Sequence, residues 1–293
     1  MLCLHRLSRD LQKETPESIM GQKSTTQRRL DTGSKTGVLA FSGKKLKQIP
    51  KKVLSMKNIR VLDLSDNLLP LIPVEISALV MLKTLHLKNN RITGCQDGGE
   101  CLSALKKLEV LTLDGNRLEQ IPKLPTKLTK FSITKNQLVT IQIQGKMKNL
   151  KHFDASGNKI VQVDKSIGTL SAVQVLNLSH NQLIELPKEV GDMGKLSDLD
   201  VSYNSLEDLP AELGNCDNLQ VILANSNRLS IVDRAIFESK SLSRLRLENN
   251  KITKKSFLQF DGVKEFMERR NARVDRELAG GMHETDRSIC GLD

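Results

Sequence analysis

An asparagine recurs along this chain at a nearly constant interval, and no other feature limits the possible architectures as much. Asn67, Asn90, Asn116, Asn136, Asn158, Asn181, Asn204, Asn227 and Asn250 are separated by 23, 26, 20, 22, 23, 23, 23 and 23 residues. Around each of them the frame reads L-x-x-L-x-L-x-x-N-x-L, as in Leu196, Leu199, Val201, Asn204 and Leu206. One step of 23 upstream of Asn67 stands Lys44, inside Leu39, Phe41, Leu46, Ile49 and Pro50, which reads as a degenerate first unit without its Asn. A period of this length means stacked supersecondary units, each too small to bury its apolar face alone.

The x-L-x-L core predicts a short strand with alternate side chains inward, and stacking the units pairs these strands into one parallel sheet. The chain then turns away, and a buried Asn amide can satisfy turn backbone groups that would otherwise lack partners. The asparagines therefore read as structural. Pro follows in Ile49-Pro50, Ile72-Pro73, Ile121-Pro122, Leu186-Pro187 and Leu209-Pro210, where it sets the exit direction, and an apolar pair such as Val190 and Met193 packs the convex side. A linear core of Leu, Ile and Val explains how 293 residues manage with no Trp, one Tyr and seven Phe.

These residues and their spacing resemble the leucine-rich repeat family. The resemblance implies an α/β solenoid, a leucine-rich repeat horseshoe with a parallel concave sheet and a C-terminal capping helix. The repeats are similar to those of the intracellular Ras-group proteins, and MGQKST from Met20, KTGV from Lys35 and FMER from Phe266 carry a closer likeness to one intracellular member over about residues 20–279. That likeness implies a non-enzymatic scaffold with no catalytic residues and no cofactor, and makes a small GTPase or a phosphatase the partner class.

The expected organisation is a flexible basic leader over residues 1–35, with Met20 as an alternative start, then nine repeats plus the degenerate unit over 36–256. A capping helix follows over 257–281, with Phe257, Phe260, Val263, Phe266 and Met267 closing the last repeat, and then a disordered tail over 282–293. The insertion TGCQDGGEC puts Cys95 and Cys101 six apart in a Gly-rich loop. With no His or further Cys nearby it reads as a loop with two reduced thiols rather than a metal site. Five cysteines without paired clusters, and a charged start without a hydrophobic h-region, point to a reduced cytoplasmic setting. No stretch approaches the roughly 20 apolar residues of a membrane span.

The concave face is where repeat proteins bind. The exposed positions there include Lys130, His152, Asp154, His180, Asp200 and Tyr203, a patch of the polar and aromatic types that interfaces use, and these are the expected partner contacts. His180, Asp200 and Ser202 on adjacent rungs raise a hydrolase reading, but an open sheet face offers neither a buried carboxylate nor an oxyanion hole.

The formal charge of +11 is unevenly placed: residues 21–60 hold eleven basic groups against Asp31, a net of +10, and the rest of the chain is close to neutral. Met20 to Thr25 matches M-G-x-x-x-[ST], the pattern for N-myristoylation of Gly21 if translation starts at Met20. One myristoyl chain binds a membrane only marginally and needs a second signal. Lys23, Arg28, Arg29, Lys35, Lys44, Lys45 and Lys47 supply a basic one. Cys290, fourth from the end, is a poor prenylation box because Gly and Asp follow it. The expectation is a protein-binding scaffold in intracellular signalling, peripheral on the cytoplasmic face of a membrane, without a small-molecule substrate. The alternative is a binder of anionic phospholipid through the basic end, with nucleic acid ranked lower because the basic run lacks aromatic stacking platforms.

Overall fold

The computed structural model describes residues 27–96, 98, 100–279 and 288–292. The inward-facing Leu, Ile, Val and Phe of the repeat frame are buried, apart from the half-buried Leu46 of the degenerate unit, and strands form where the frame alternates. They are β1 (Val38–Ala40), β2 (Val61–Asp63), β3 (Thr84–His86), β4 (Val110–Thr112), β5 (Lys130–Ser132), β6 (Thr140–Ile141), β7 (His152–Asp154), β8 (Gln162–Val163), β9 (Val175–Asn177), β10 (Asp198–Asp200), β11 (Val221–Leu223) and β12 (Arg244–Arg246). All but β6 and β8 pair in chain order into one open ten-stranded parallel sheet, whose strands we number as rungs 1 to 10. The register advances by one repeat per strand, as in Asp154 beside Asn177 and Asn177 beside Asp200. β6 and β8 pair separately, behind rungs 5 and 6.

The ladder asparagines hold successive rungs together. Asn136 Nδ2 donates to the carbonyls of Leu113, Ile133 and Thr134, and its Oδ1 accepts from Leu118 N–H at 3.0 Å. The same pattern runs from Asn67, which bonds Lys44 and Leu46 N–H of the degenerate unit, to Asn250, which reaches Ala224 and Leu229. Each Asn thus closes its own turn and ties it to the rung before. On the convex side, 3₁₀ segments at Val74–Ala78, Lys165–Thr169, Lys188–Asp192 and Ala211–Asn215 follow an extended Pro or Asp, and Ile76, Ile167, Val190 and Leu213 plug the core.

Both ends depart from expectation. Residues 27–36 are helical (α1) rather than flexible: Leu30 and Gly33 pack toward the first rung, where a Cβ on Gly33 would stand 2.8 Å from Leu39 Cδ1. An amphipathic turn that buries Leu30 gains order that composition alone does not predict. A short helix, α2 (Lys51–Leu54), backs rung 1, and α3 (Arg234–Glu238) follows rung 9. The terminal cap is two helices, α4 (Lys254–Phe257) and α5 (Val263–Ala279), instead of one from residue 257. Thr253 and Ser256 form a capping box that starts α4 early, and Gly262, at φ +82°, breaks the chain before α5. Phe257 and Phe266 are fully buried, with ring centroids 5.8 and 5.6 Å from Phe237.

The tail is also ordered where it is described. Cys290 O accepts from Leu247 N–H at 2.9 Å, the bond that Arg246 O accepts from Ala224 one rung earlier. Arg270 Nη1 donates to Ser288 O at 2.8 Å, and Cys290 is fully buried. Residues 288–292 thus extend the ladder beyond rung 10, because that open edge would otherwise leave the Leu247 amide without its partner. The Cys95 loop differs too. Cys95 and Cys101 form a disulfide, with Cα atoms 6.3 Å apart, instead of standing as two thiols. Cys95 is held by a parallel bridge to Ile72 and Cys101 is buried beside Leu102, so their backbones are brought within bonding reach.

The concave face and the basic end

The residue just before each ladder position is left-handed in all ten rungs. Gly43, Gly115 and Gly157 occupy three of these places, and Asp66, Asn89, Lys135, His180, Tyr203, Ser226 and Asn249 adopt φ of 52° to 57° in the others. A non-Gly residue costs about 1–2 kcal/mol in that region. Bonds between rungs offset the cost: His180 N–H donates to Ser202 O at 3.0 Å, and Tyr203 N–H to Asn225 O at 2.9 Å. The conformation turns these side chains outward along one rim of the concave sheet. There His180 and Tyr203 stack, with centroids 4.2 Å apart and planes 8° from parallel, and Tyr203 stays 50% exposed. At the same rim Asp66 accepts from Asn89 Nδ2 and Ser42 Oγ, which together hold its carboxyl below the usual range.

The six expected contact residues form three groups across the sheet. Lys130 and His152 are register partners on the first strand column, and both are exposed. Asp154 and Asp200 flank Asn177 on the middle column. His180 and Tyr203 are the stacked rim pair. The middle column has a duty that the repeat pattern did not reveal: Asp63, Asp154, Asn177 and Asp200 each accept, through Oδ1, the N–H of the residue two further on. These side-chain caps hold the strand exits, so part of the column's polarity is structural. Ser202 Oγ donates to Asp200 Oδ1 at 2.6 Å and is buried, so the hydroxyl is committed to its own strand's carboxylate while the His180 ring lies against Tyr203.

At the N-terminal end, residues 27–60 carry ten basic groups and only Asp31. Arg28, Lys35, Lys44, Lys45 and Lys47 are exposed, whereas Arg29 is half-buried and donates through Nη1 to Ala40 O at 2.8 Å, tying α1 to rung 1. Gly21 and Lys23 lie outside the described residues. Three ion pairs form among the described residues, Lys83–Glu109, Lys123–Glu100 and Arg234–Glu238, so no carboxylate pairs with the basic end. The Lys123–Glu100 pair borders a 430 Å³ cavity beside the disulfide loop. Burial, with Asp217 and Asp192 nearby, pushes the Cys216 thiol up to about 11, which makes it a core residue without nucleophilic character. Among the described residues no helix is long and apolar enough to cross a membrane.

An open parallel-sheet solenoid with an asparagine ladder and an accessible concave face defines a repeat protein of the horseshoe class. Three family models match it: a leucine rich repeat over residues 38–92, two copies over 80–126, and a single repeat over 172–193. The matched segments, residues 38–126 and 172–193, are leucine-rich repeats. It is 41% identical over 88 residues to the plant intracellular Ras-group-related LRR protein 8 of Oryza sativa, a match covering 30% of this chain and 23% of that protein. The chain therefore spans about a quarter of that relative. A leucine-rich repeat protein of Leptospira interrogans superposes with a TM-score of 0.71 at 29% identity, over 79% of this chain and 58% of that one. The plant peptide hormone receptor RGFR1, solved in complex with RGF2, superposes at 0.54 with 25% identity, over 69% of this chain and 38% of the receptor.

Proposed function

We propose that this protein is a non-enzymatic scaffold that binds a protein partner on its concave face while its basic end lies against a membrane. The observation that carries the first half is the exposed His180–Tyr203 pair on the rim, next to the open columns of Lys130, His152, Asp154 and Asp200. Exposed aromatics beside adaptable polar groups are what binding hot spots are made of. Family likeness adds the setting. The relative's name places it in an intracellular Ras group, MGQKST, KTGV and FMER resemble leucine-rich repeat-containing protein 57, and the solved receptor holds a peptide. A small GTPase or a phosphatase in cytoplasmic signalling is the partner class this likeness favours.

The second half rests on the unpaired charge of residues 27–60 and on the myristoylation pattern at Gly21. Each basic group that reaches an anionic leaflet adds about 1 kcal/mol, enough to supplement a single acyl chain. The same charge favours a second reading, in which anionic phospholipid is the only ligand. The two separate in one experiment. Chemical crosslinking with mass spectrometry in cells should lose its concave-face links in a His180→Glu, Asp200→Lys, Tyr203→Glu variant and keep them in a Lys44→Glu, Lys45→Glu, Lys47→Glu variant. Flotation with phosphatidylserine vesicles should show the reverse, the lysine variant partitioning about a hundredfold more weakly at low salt. Unchanged crosslinks in the concave variant would leave phospholipid binding as the function.

A further inference from the structure

The near-neutral body of the chain hides a strong segregation of charge. Residues 166–227, which build rungs 7 to 9, hold nine carboxylates (Glu185, Glu189, Asp192, Asp198, Asp200, Glu207, Asp208, Glu212 and Asp217) against Lys188 and Lys195, a net of −7. None of the nine forms an ion pair among the described residues. The basic end does not compensate for them, because rung 1 and rung 7 are six strand spacings apart, roughly 29 Å, and charge is screened within about 8 Å at physiological salt.

On the concave face this segment presents Asp198 and Asp200 from a single strand, with Asp154 two strands away along the same column. Asp200 Oδ1 is occupied by Ser202 and Asp154 Oδ1 by the Ser156 amide, so a partner meets the second oxygen of each. The stretch is bounded by charges of the opposite sign, Lys130 on rung 5 and Arg244 on rung 10. Beside it the Tyr203 ring, backed by His180, leaves half its area open, and an aromatic face next to carboxylates favours a guanidinium or an ammonium.

Resting on the concave-face reading above, we infer that the partner presents a cationic segment to rungs 6 to 8, with Lys or Arg side chains on Asp154, Asp198 and Asp200 and one of them against Tyr203. The flanking Lys130 and Arg244 repel that segment on both sides and so set its length to a few residues across the sheet. Charge complementarity of this kind governs which partner is accepted and how fast it arrives.

The test is fluorescence anisotropy with the full chain and three labelled peptides of equal length: one alternating Arg and Ser, one alternating Glu and Ser, and one of Gly and Ser. The Arg peptide should bind and the other two should not. Asp198→Asn with Asp200→Asn should weaken it about tenfold and Tyr203→Ala about fivefold, whereas Glu207→Gln with Asp208→Asn, in the same acidic segment but outside the strand, should change it less than about twofold. Asn retains the Oδ1 acceptor that Ser202 needs, so an unchanged melting curve separates lost contacts from lost folding. Equal weakening in both double variants would overturn the proposal in favour of diffuse charge attraction. Binding of the Glu peptide would overturn it outright. Sedimentation showing self-association that Asp198→Asn with Asp200→Asn abolishes would make the occupant the basic end of a second copy instead. If cellular crosslinks on the concave face are lost with Tyr203→Ala but persist in the Asp-to-Asn pair, the cationic partner fails while the scaffold reading stands. If both variants keep them, both fail.

Discussion

The ladder asparagine is the residue on which the solenoid depends, and its spacing alone made that role readable. The four side-chain bonds of Asn136 satisfy one amide of the preceding rung and three carbonyls, all buried but that of Thr134, which is half-buried. Asn136→Ala strands the Leu118 amide, at about 1–3 kcal/mol, while the three carbonyls keep a second donor each, Leu113 O from Asn116, Ile133 O from Asn158 and Thr134 O from the Gly115 amide. Urea denaturation should show that loss, and a change below about 1 kcal/mol would mean that water replaces the side chain. The left-handed residue beside it was harder to see. Gly43, Gly115 and Gly157 mark the conformation in the sequence, but seven rungs hide it behind Asp, Asn, Lys, His, Tyr or Ser. Only the chain direction set by the neighbouring rung shows that Tyr203 and His180 are turned outward and into contact. The caps made by Asp63, Asp154 and Asp200 were equally hidden, because an acidic residue on an open column looks the same whether it serves a turn or a ligand.

The strands were legible as elements because their alternation is local, whereas the convex segments depend on what the next rung places against them. Gly168, Gly191 and Gly214, 23 residues apart, occupy the fourth position of successive 3₁₀ segments. A Cβ on Gly191 would lie 2.5 Å from Glu212 O, and one on Gly168 2.7 Å from Glu189 O. In the Val74–Ala78 segment the fourth position is Ser77, and the unit that follows carries the Cys95–Cys101 insertion in place of a 3₁₀ segment. Close approach therefore demands Gly only where regular units stack. Gly191→Ala should destabilise the protein by about 2 kcal/mol through forced separation of two units. Gly194→Ala, with nothing within 4 Å of the new Cβ, should be neutral or stabilise by about 0.5 kcal/mol. Thermal melts of the two variants decide this, and equal effects would refute it. The disulfide escaped sequence reasoning for a related reason: six residues of separation do not reveal that Ile72 and the core draw the two cysteines together.

At the scale of the molecule, stability propagates from rung to rung, so the ends carry unusual weight. The N-terminal end is closed by α1 through Leu30 and the Arg29–Ala40 bond, and the other end by α4, α5 and the returning tail. Removing residues 288–293 should expose the Leu247 amide and uncover the last rung. Hydrogen exchange is then expected to rise in β12 while rungs 2 to 6 keep their protection, and unchanged exchange in β12 would show that the tail merely rests there. The repeat frame by itself determined that this chain is a solenoid with an apolar line of Leu, Ile and Val, because each unit buries its core against copies of the same pattern. It also located the basic end, since charge counts need no coordinates. The helix at residues 27–36, the ladder bond made by residues 288–292, the stacking of His180 on Tyr203, the caps along the middle column and the Cys95–Cys101 bond were decided by the tertiary structure alone. The caps close within a single rung, but the other features depend on contacts between residues far apart in the chain, and a period in the sequence carries no record of how one unit presses on the next.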